Sequence, residues 1–295
     1  VRIDTAQVGF SRTDFLAHLK EKWAVGCALH YPAVWSWEAF DDVDYDNREI
    51  LWSHNADSLV PIASMTKLMT VFVILEDIYI HQRLTLQSSV TVSKEAAAIG
   101  GSQVWLAAGE VFTLEELMQA MMIHSANDAA YAAAEGASGD VVTFVRRMNR
   151  AAREIGMIKA RFINPNGLPG ESVSTVDPNV SGPQDCQATA MDMVVLADRL
   201  MDYPDTLRWS STWNAPFRPQ APEPVQMYSR NRLLRSCEGV NGLKTGFTQR
   251  AGSCITASCR RADRRLLAVV TGFGSAKLRD AFVCDLLDWG YAAVG

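Results

Sequence analysis

The pattern of apolar and polar residues along the chain, with few helix breakers, predicts six helices. They cover Thr13–Trp23, Ser64–Glu76, Thr113–Ile123, Val141–Ile155, Ala188–Met201 and a last helix that Ser275 caps. The third helix begins with Thr113-Leu114-Glu115-Glu116, which is a capping-box signature. The last one places four apolar residues on one face: Leu278, Phe282, Leu286 and Trp289.

Strands are predicted at both ends of the chain, with the helices between them. At the start, Trp37–Asp44 and Arg48–Asn55 form a pair joined by a turn at Tyr45-Asp46-Asn47. Three more strands follow near the end: Gly239–Gly246, Gly252–Arg260 and Leu266–Gly272. The stretch Asn164–Cys186 is rich in Pro, Gly, Ser and Asn and is predicted to be a long loop. This order predicts an α/β fold, with one sheet built from both chain ends and a helical insertion.

Composition narrows the class of protein. The 295 residues are 48% hydrophobic, enough for one large domain or two intimate ones. A net charge of -5 without a basic face argues against nucleic-acid binding. No stretch approaches the ~18 apolar residues of a membrane span. Six cysteines without Cys-x-x-Cys and five histidines without His-x-x-x-His predict neither a metal site nor another cofactor.

Ser64-Met65-Thr66-Lys67 places a serine and a lysine three residues apart, hence on one face of a helix with about 3.6 residues per turn. Serine is a weak nucleophile until a base removes its proton. A lysine whose pKa is depressed by burial or by another cation can be that base. An exposed Ser and Lys on a surface helix would show the same spacing, but here the motif lies among apolar residues.

Two further motifs follow in the order in which a Ser-x-x-Lys enzyme has them. Ser125-Ala126-Asn127 lies between the other two motifs and closes the third helix, whereas Ser53-His54-Asn55 precedes the first motif and Ser229-Arg230-Asn231 closes no predicted helix. Lys244-Thr245-Gly246 lies on a C-terminal strand, and its glycine permits close approach of a ligand backbone. His124 next to Ser125 suggests a triad, but no Asp partner is indicated.

With these motifs the chain resembles the low-molecular-mass D-alanyl-D-alanine carboxypeptidases, which are penicillin-binding proteins. The segments that carry the resemblance are Pro61–Thr70, Asn166–Leu168, Arg230–Leu234 and Asn241–Thr248 followed by Ala251-Gly252. The likeness spans roughly Ala39 to Gly290. Residues 1–36 do not match the family's usual start, and the loop Ser172–Asp185 looks longer than usual. We expect the C-terminal β domain of many relatives to be missing, because no segment of the sequence matches it.

The resemblance implies a serine β-lactamase/penicillin-binding-protein-like fold and removal of the terminal D-Ala from peptidoglycan stem peptides. The expected catalytic residues are Ser64, Lys67 and Ser125, and the expected substrate-binding residues are Asn127, Arg230, Lys244, Thr245 and Phe247. The expected partners are a stem peptide ending in D-Ala-D-Ala and β-lactam antibiotics, with no cofactor. The resemblance also implies an extracytoplasmic location. Because the chain opens with Val1, we expect a removed targeting segment or a trimmed chain, and membrane association through a segment outside it.

We expect residues 1–36 to form an extension with a helix, and 37–295 to form the D,D-peptidase domain with a helical insertion at about 77–200. Three other functions stay open: a D,D-endopeptidase that cuts cross-links, a β-lactamase, and a non-catalytic peptidoglycan-binding module. A β-lactamase of class A needs a deacylating glutamate, and no glutamate here has that family's sequence context. Strand counting back from the Gly246–Gly252 connection also suggests a disulfide between Cys237 and Cys259.

Overall fold

The computed structural model describes residues 35–41, 44–170, 184–220 and 222–294. Its strands are β1 (Trp35–Asp41), β2 (Asp44–Glu49), β3 (Ser53–His54), β4 (Val60–Pro61), β5 (Ser89–Thr91), β6 (Val111–Thr113), β7 (Gln187–Ala188), β8 (Asn214–Phe217), β9 (Val225–Tyr228), β10 (Val240–Thr248), β11 (Gly252–Arg261) and β12 (Arg264–Phe273). Its α-helices are α1 (Thr66–Leu75), α2 (Lys94–Ala97), α3 (Leu114–Gln119), α4 (Asn127–Ser138), α5 (Val141–Glu154), α6 (Ala190–Met201), α7 (Pro204–Ser210), α8 (Leu233–Ser236) and α9 (Ala276–Val294).

A six-stranded antiparallel sheet is built from both ends of the described chain, as the sequence predicted. Its strand order is β10-β11-β12-β1-β2, and β3 also pairs with β1. The first strand lies beside the last one, with Trp37 opposite Ala268. The elements from α1 to α7 lie between these two groups of strands in the sequence, so the predicted α/β fold with a helical insertion is confirmed.

Helices cover both faces of the sheet, which explains why β12 is almost continuously apolar. Alternate residues of β12 point to opposite faces. Leu266, Ala268 and Val270 belong to the core that α9 covers with Phe282 and Leu286. Leu267 and Val269 belong to the larger core formed with the inserted helices. The strand is therefore buried on both sides and provides a rigid support for its neighbours β11 and β10.

The helix that carries the Ser-x-x-Lys motif is enclosed by protein. All ten residues of α1 are buried, so no face of this helix meets solvent. The polar side chains of a helix buried on every face must find hydrogen-bond partners inside the protein. The Thr70 hydroxyl, for example, donates to the carbonyl oxygen of Pro165 over 2.6 Å.

The other predicted helices of the described chain are also present. Thr113 caps α3 through the predicted capping box, and Ser275 Oγ accepts the Leu278 N–H before α9. Sequence analysis missed α4 and α7, and also the four-residue helices α2 and α8. Helix α4 is rich in alanine, which gives little periodic contrast although alanine is the strongest helix former. The predicted helix Thr13–Trp23 lies outside the described residues.

The predicted turn at Tyr45-Asp46-Asn47 is wrong. These residues lie inside β2, and the hairpin instead connects Asp41 with Asp44, which stand opposite each other. Pairing with β1 continues to Ala39 opposite Glu49, with an irregularity between Ala39 and Asp41. Cross-strand pairing therefore overrides the local turn preference of Asp and Asn at these positions.

The predicted disulfide between Cys237 and Cys259 is also absent, since both side chains are free thiols. The residue opposite Cys259 is Val240, and the ladder is irregular between Val240 and Gly242. Cys237 precedes β10, and its interaction with Cys284 on α9, together with burial, raises the pKa of its thiol. A strand count cannot foresee this, because it ignores both the bulge and the end of the strand.

No helix in the described ranges is long and apolar enough to cross a membrane.

The capping box of α3 provides a test of local stability. Thr113 Oγ1 accepts the Glu116 N–H over 3.2 Å, and Glu116 Oε2 accepts the Thr113 N–H over 2.8 Å. We expect Thr113→Ala to lower the free energy of unfolding by about 1 kcal/mol, because two helix N–H groups lose this reciprocal arrangement. Urea unfolding followed by circular dichroism measures the change. Thr113→Ser keeps the hydroxyl and should retain most of the stability; equal losses in both variants would contradict the capping role.

Candidate active site

Ser64 and Lys67 form the centre of the site. Ser64 lies in the 3-10 turn Ala63–Met65, which leads directly into α1, and its side chain is partly exposed. Lys67 is on the first turn of α1 and is fully buried, with Nζ 3.0 Å from Ser64 Oγ. The spacing predicted from the sequence therefore produces a direct contact between a reachable hydroxyl and a buried amine.

The surroundings of Lys67 favour the neutral amine. Its Nζ donates to Asn127 Oδ1 and to the Asn166 carbonyl oxygen, each over 2.7 Å. Burial lowers the pKa of Lys67 well below its ordinary value, and the charge of Lys244 lowers it further. A neutral amine has two N–H groups and one lone pair. When Asn127 and Asn166 accept the two N–H groups, the lone pair is left to accept the hydroxyl proton of Ser64.

Two glycines allow other segments to approach the turn that carries Ser64. A Cβ on Gly246 in β10 would lie 2.8 Å from the Ile62 carbonyl oxygen and 3.2 Å from Ser64 N. A Cβ on Gly167 would lie 1.9 Å from the Ala63 carbonyl oxygen. Ala63 itself has a φ of 46°, in the left-handed region that residues other than glycine seldom adopt. The turn that carries Ser64 is thus confined by tertiary packing and held in a strained conformation.

Ser125 and Asn127 enter the site through a second left-handed residue. Ser125 ends the π-helical turn Ala120–His124 with a φ of 65° and is nearly buried. Asn127 then begins α4, where its N–H donates to the Ser102 carbonyl oxygen and its Nδ2 to the Gly100 carbonyl oxygen. These bonds orient the Asn127 side chain toward Lys67.

Of the two other Ser-x-Asn triplets, neither contacts Lys67 through a described hydrogen bond. Ser53 and Asn55 are exposed at and after β3. Asn231 is buried and has a supporting role, since its Nδ2 donates to the Gly242 carbonyl oxygen at the start of the Lys-Thr-Gly strand.

The Lys-Thr-Gly motif lies in the middle of β10, with Lys244 and Thr245 buried and Phe247 largely exposed. Burial lowers the pKa of Lys244 to about 7, and the nearby guanidinium groups of Arg230 and Arg279 contribute to the shift. Lys244 Nζ donates to the Thr245 carbonyl oxygen over 3.2 Å. The motif thus adds an excess of positive charge beside the Ser64–Lys67 pair.

Sequence analysis missed Arg279. It is on α9 and only 3% exposed, its Nη1 donates to the Cys254 carbonyl oxygen, and it forms an ion pair with Asp280 over 2.6 Å. Its position one residue after Leu278 in the apolar stripe of α9 was the available signal, because an arginine on the buried side of a helix requires partners.

His124 does not complete a triad. Its Nδ1 accepts the backbone N–H of Tyr228 over 3.5 Å, so the ring nitrogen that a triad carboxylate would orient is occupied by the β9 backbone. Burial and the charge of Arg230 lower the pKa of His124. Within the described residues, no group of three His, Cys, Asp or Glu side chains is arranged to hold a metal ion.

Four features define the penicillin-binding-protein class of the β-lactamase-like fold. They are a sheet built from both chain ends, a buried helix with serine before lysine, a Ser-x-Asn turn and a Lys-Thr-Gly strand. Within it, the chain belongs to the D-alanyl-D-alanine carboxypeptidase family, Peptidase S11, whose sequence model matches residues 38–274.

Individual relatives agree with this assignment. The D-alanyl-D-alanine carboxypeptidase DacF of Bacillus subtilis is 33% identical over 250 residues, which cover 85% of this chain and 61% of DacF. The carboxypeptidase DacD of Francisella tularensis superposes with a TM-score of 0.76 at 26% identity, covering 86% of this chain and 69% of DacD. Ampicillin-bound penicillin-binding protein D2 of Listeria monocytogenes gives 0.71 at 27% identity, with 87% and 96% coverage. The chain thus spans about three fifths of the length of curated relatives such as DacF.

The charge of Lys244 provides a test of the electrostatics. Below pH of about 7, protonated Lys244 repels the protonated form of Lys67 and so lowers its pKa. Lys244→Met removes this repulsion, and the pKa of Lys67 should rise. The acidic limb of the pH profile for acylation by a fluorescent penicillin should therefore move to higher pH, besides any loss of maximal rate. Lys277→Met, at an exposed position of α9, is the control. An unmoved acidic limb would disprove the coupling.

Proposed function

We propose that the protein is a serine-type D-alanyl-D-alanine carboxypeptidase, which removes the terminal D-Ala from peptidoglycan stem peptides through an acyl-enzyme on Ser64. The observation that carries the proposal is the 3.0 Å contact between Ser64 Oγ and the buried Nζ of Lys67. A nucleophile held against a base of depressed pKa is the minimal requirement for covalent acyl transfer.

In the first step, Ser64 Oγ attacks the carbonyl carbon between the two D-Ala residues while Lys67 takes the hydroxyl proton. The backbone N–H groups of Ser64 and Phe247 then donate to the oxygen of the tetrahedral intermediate. The close approach at Gly246 supports this assignment, since it brings the strand that precedes Phe247 N within reach of Ser64 N. Collapse of the intermediate breaks the C–N bond and forms the acyl-enzyme.

The leaving amine must gain a proton, and we assign the relay to Ser125, a role supported by its position two residues before Asn127, which accepts a hydrogen bond from Lys67. Asn127 positions the acyl side of the substrate. Its Nδ2 uses one N–H for Gly100, and the second would donate to the substrate amide oxygen. Water subsequently hydrolyses the ester and regenerates Ser64.

The terminal carboxylate of the substrate would meet the cationic end of the site. Lys244, Thr245 and Arg230 are the proposed partners, and the buried charge of Arg279 reinforces the positive potential there. Charge-assisted hydrogen bonds to a carboxylate are stronger than neutral ones. A substrate with a free terminal carboxylate is cleaved either by a carboxypeptidase or by an endopeptidase that acts on cross-links with such a terminus.

The described glutamates do not support a β-lactamase. Glu135 accepts a hydrogen bond from Ser93 over 2.7 Å, and Glu154 pairs with Arg150 on the surface. Glu223 and Glu238 are exposed, and Glu171 lies outside the described residues. We therefore assign no glutamate to activation of a deacylating water.

We further propose that residues 37–295 form the D,D-peptidase domain, with a helical insertion at about 77–200, and that residues 1–36 are an extension of it. The family match over residues 38–274 supports this boundary. The substrate places the reaction outside the cytoplasm, where peptidoglycan lies. We also propose membrane association through a segment outside the given sequence.

A β-lactam should form a long-lived adduct on Ser64, because its amide occupies the position of the D-Ala-D-Ala bond and its cleaved amine stays tethered. Intact-protein mass spectrometry should show one added drug mass that persists for many minutes and maps to the Ser64 peptide. Ser64→Ala should show no adduct, and Lys67→Ala should acylate slower by orders of magnitude, since the pair acts as a unit. Rapid return to the free mass with excess hydrolysed drug would identify a β-lactamase, and a wild type without adduct would indicate a non-catalytic module.

The reaction itself is tested by incubating the protein with a pentapeptide ending in D-Ala-D-Ala and, separately, with a cross-linked muropeptide dimer. We expect stoichiometric release of free D-Ala from the pentapeptide and its loss in Ser64→Ala. Conversion of the dimer to monomers without release of D-Ala from the pentapeptide would instead assign a D,D-endopeptidase.

A further inference from the structure

Trp105 has an unusual conformation for a large side chain. It is 67% exposed, although its neighbours Val104 and Leu106 are buried. Its φ is 58°, in the left-handed region, where a bulky residue is a genuine outlier. Such a conformation costs on the order of 1–3 kcal/mol and persists only when the surrounding structure imposes it. The protein therefore holds an indole in solvent against the local preferences of the chain.

A buried carboxylate and a guanidinium impose this conformation. Asp128 Oδ2 accepts the N–H groups of Val104 and Leu106 over 3.2 and 3.1 Å. On the other side, Arg218 donates to the carbonyl oxygens of Val104 and Trp105 over 2.9 and 3.0 Å. The peptide groups around Trp105 are thus held from both sides by charged partners.

Arg218 is itself fixed in place. It forms an ion pair with Glu110 and stacks over the rings of Phe112 and Phe217, with its guanidinium carbon 5.2 and 5.1 Å from their centroids. This arrangement immobilises the segment before any ligand arrives. A side chain held in this way loses little conformational entropy when it binds.

The same segment borders the catalytic residues on the acyl side. The Ser102 carbonyl oxygen accepts the Asn127 N–H over 2.7 Å, and the next residue, Asp128, holds Val104 and Leu106. Trp105 is three residues from Ser102, so their Cα atoms are separated by no more than about 11 Å. A substrate whose carboxylate lies at Lys244 and whose acyl-side amide lies at Asn127 would continue toward this segment.

We propose that Trp105 is a binding platform for the stem-peptide residue that precedes the D-Ala-D-Ala pair, a diamino acid with a long aliphatic side chain and an ammonium group. The methylene groups pack on the indole, and the ammonium lies over its face, where the attraction is strongest among aromatic side chains. This assignment rests on the proposed function. It adds recognition of the residue before D-Ala-D-Ala, to which none of the catalytic motifs is assigned.

The test compares wild type, Trp105→Ala and Trp105→Phe on four substrates. The first is Nα-acetyl-Lys-D-Ala-D-Ala, in which the side-chain ammonium is free. The second and third have norleucine or alanine in place of lysine, and the fourth is N-acetyl-D-Ala-D-Ala, which lacks this residue. The readout is kcat and KM for release of D-Ala. Ile158→Ala, at an 80% exposed position on the segment between α5 and β7, is the control for loss of a surface side chain.

We expect wild type to prefer lysine over norleucine and norleucine over alanine. Trp105→Ala should lower kcat/KM for the lysine peptide by about tenfold, mainly through KM, and should remove the preference. Trp105→Phe should keep an intermediate preference, and Ile158→Ala should match wild type.

The contradicting results are distinct. An equal loss by Trp105→Ala on all four substrates would show that the residue only supports Asn127, and no change would show that it does not bind substrate; both overturn the inference. A wild type that releases D-Ala from none of the substrates would refute the proposed function, and the inference with it.

Discussion

The burial of the Lys67 amine is the constraint on which the rest of the site depends. A charged ammonium inside α1 would carry a large desolvation cost, so the enclosure of this helix favours the neutral base. Asn127 and the Asn166 carbonyl oxygen accept hydrogen bonds from its N–H groups, and the positive charge of Lys244 lowers the pKa of Lys67 further. The protein obtains a base of depressed pKa from burial, without a histidine or a metal ion in these contacts.

The geometry around this base depends on segments that approach each other closely. Gly246 brings β10 against the turn of Ser64, and Gly167 brings a loop against Ala63, at distances that a Cβ would prevent. Ala63, in the turn that Gly167 approaches, has a positive φ, and so does Ser125, in the turn before Asn127. Backbone strain of this kind is concentrated at functional sites, because rigid surroundings maintain it. Here the rigid surroundings are the sheet, buried on both faces, and the enclosed helix α1.

The positive charges of the site have a similar origin. Lys244 and Arg279 are both buried, the first on the strand β10 and the second on α9, which covers one face of the sheet. Burial lowers the pKa of Lys244 to about 7, and the charges of Arg230 and Arg279 contribute to the shift, so the charged form of Lys244 is unfavourable here. In the proposed function, the carboxylate of the substrate would offset this positive charge, and its recognition would be coupled to the charge of Lys244 that lowers the pKa of Lys67.

The sequence by itself determined the periodic elements and the spacing of the catalytic motifs, because helix and strand periods and the three-residue interval from Ser64 to Lys67 are local properties. The mistaken turn at Tyr45-Asp46-Asn47 depended on the register between β1 and β2, which the local turn preference does not reveal. The absent disulfide at Cys237 depended on the irregularity in the β10–β11 ladder and on Cys284, which is distant in the sequence. Arg279 and Trp105 have no motif that marks them. Their roles depend on what lies opposite them in space, and only the tertiary structure, through packing between segments far apart in the chain, determines that.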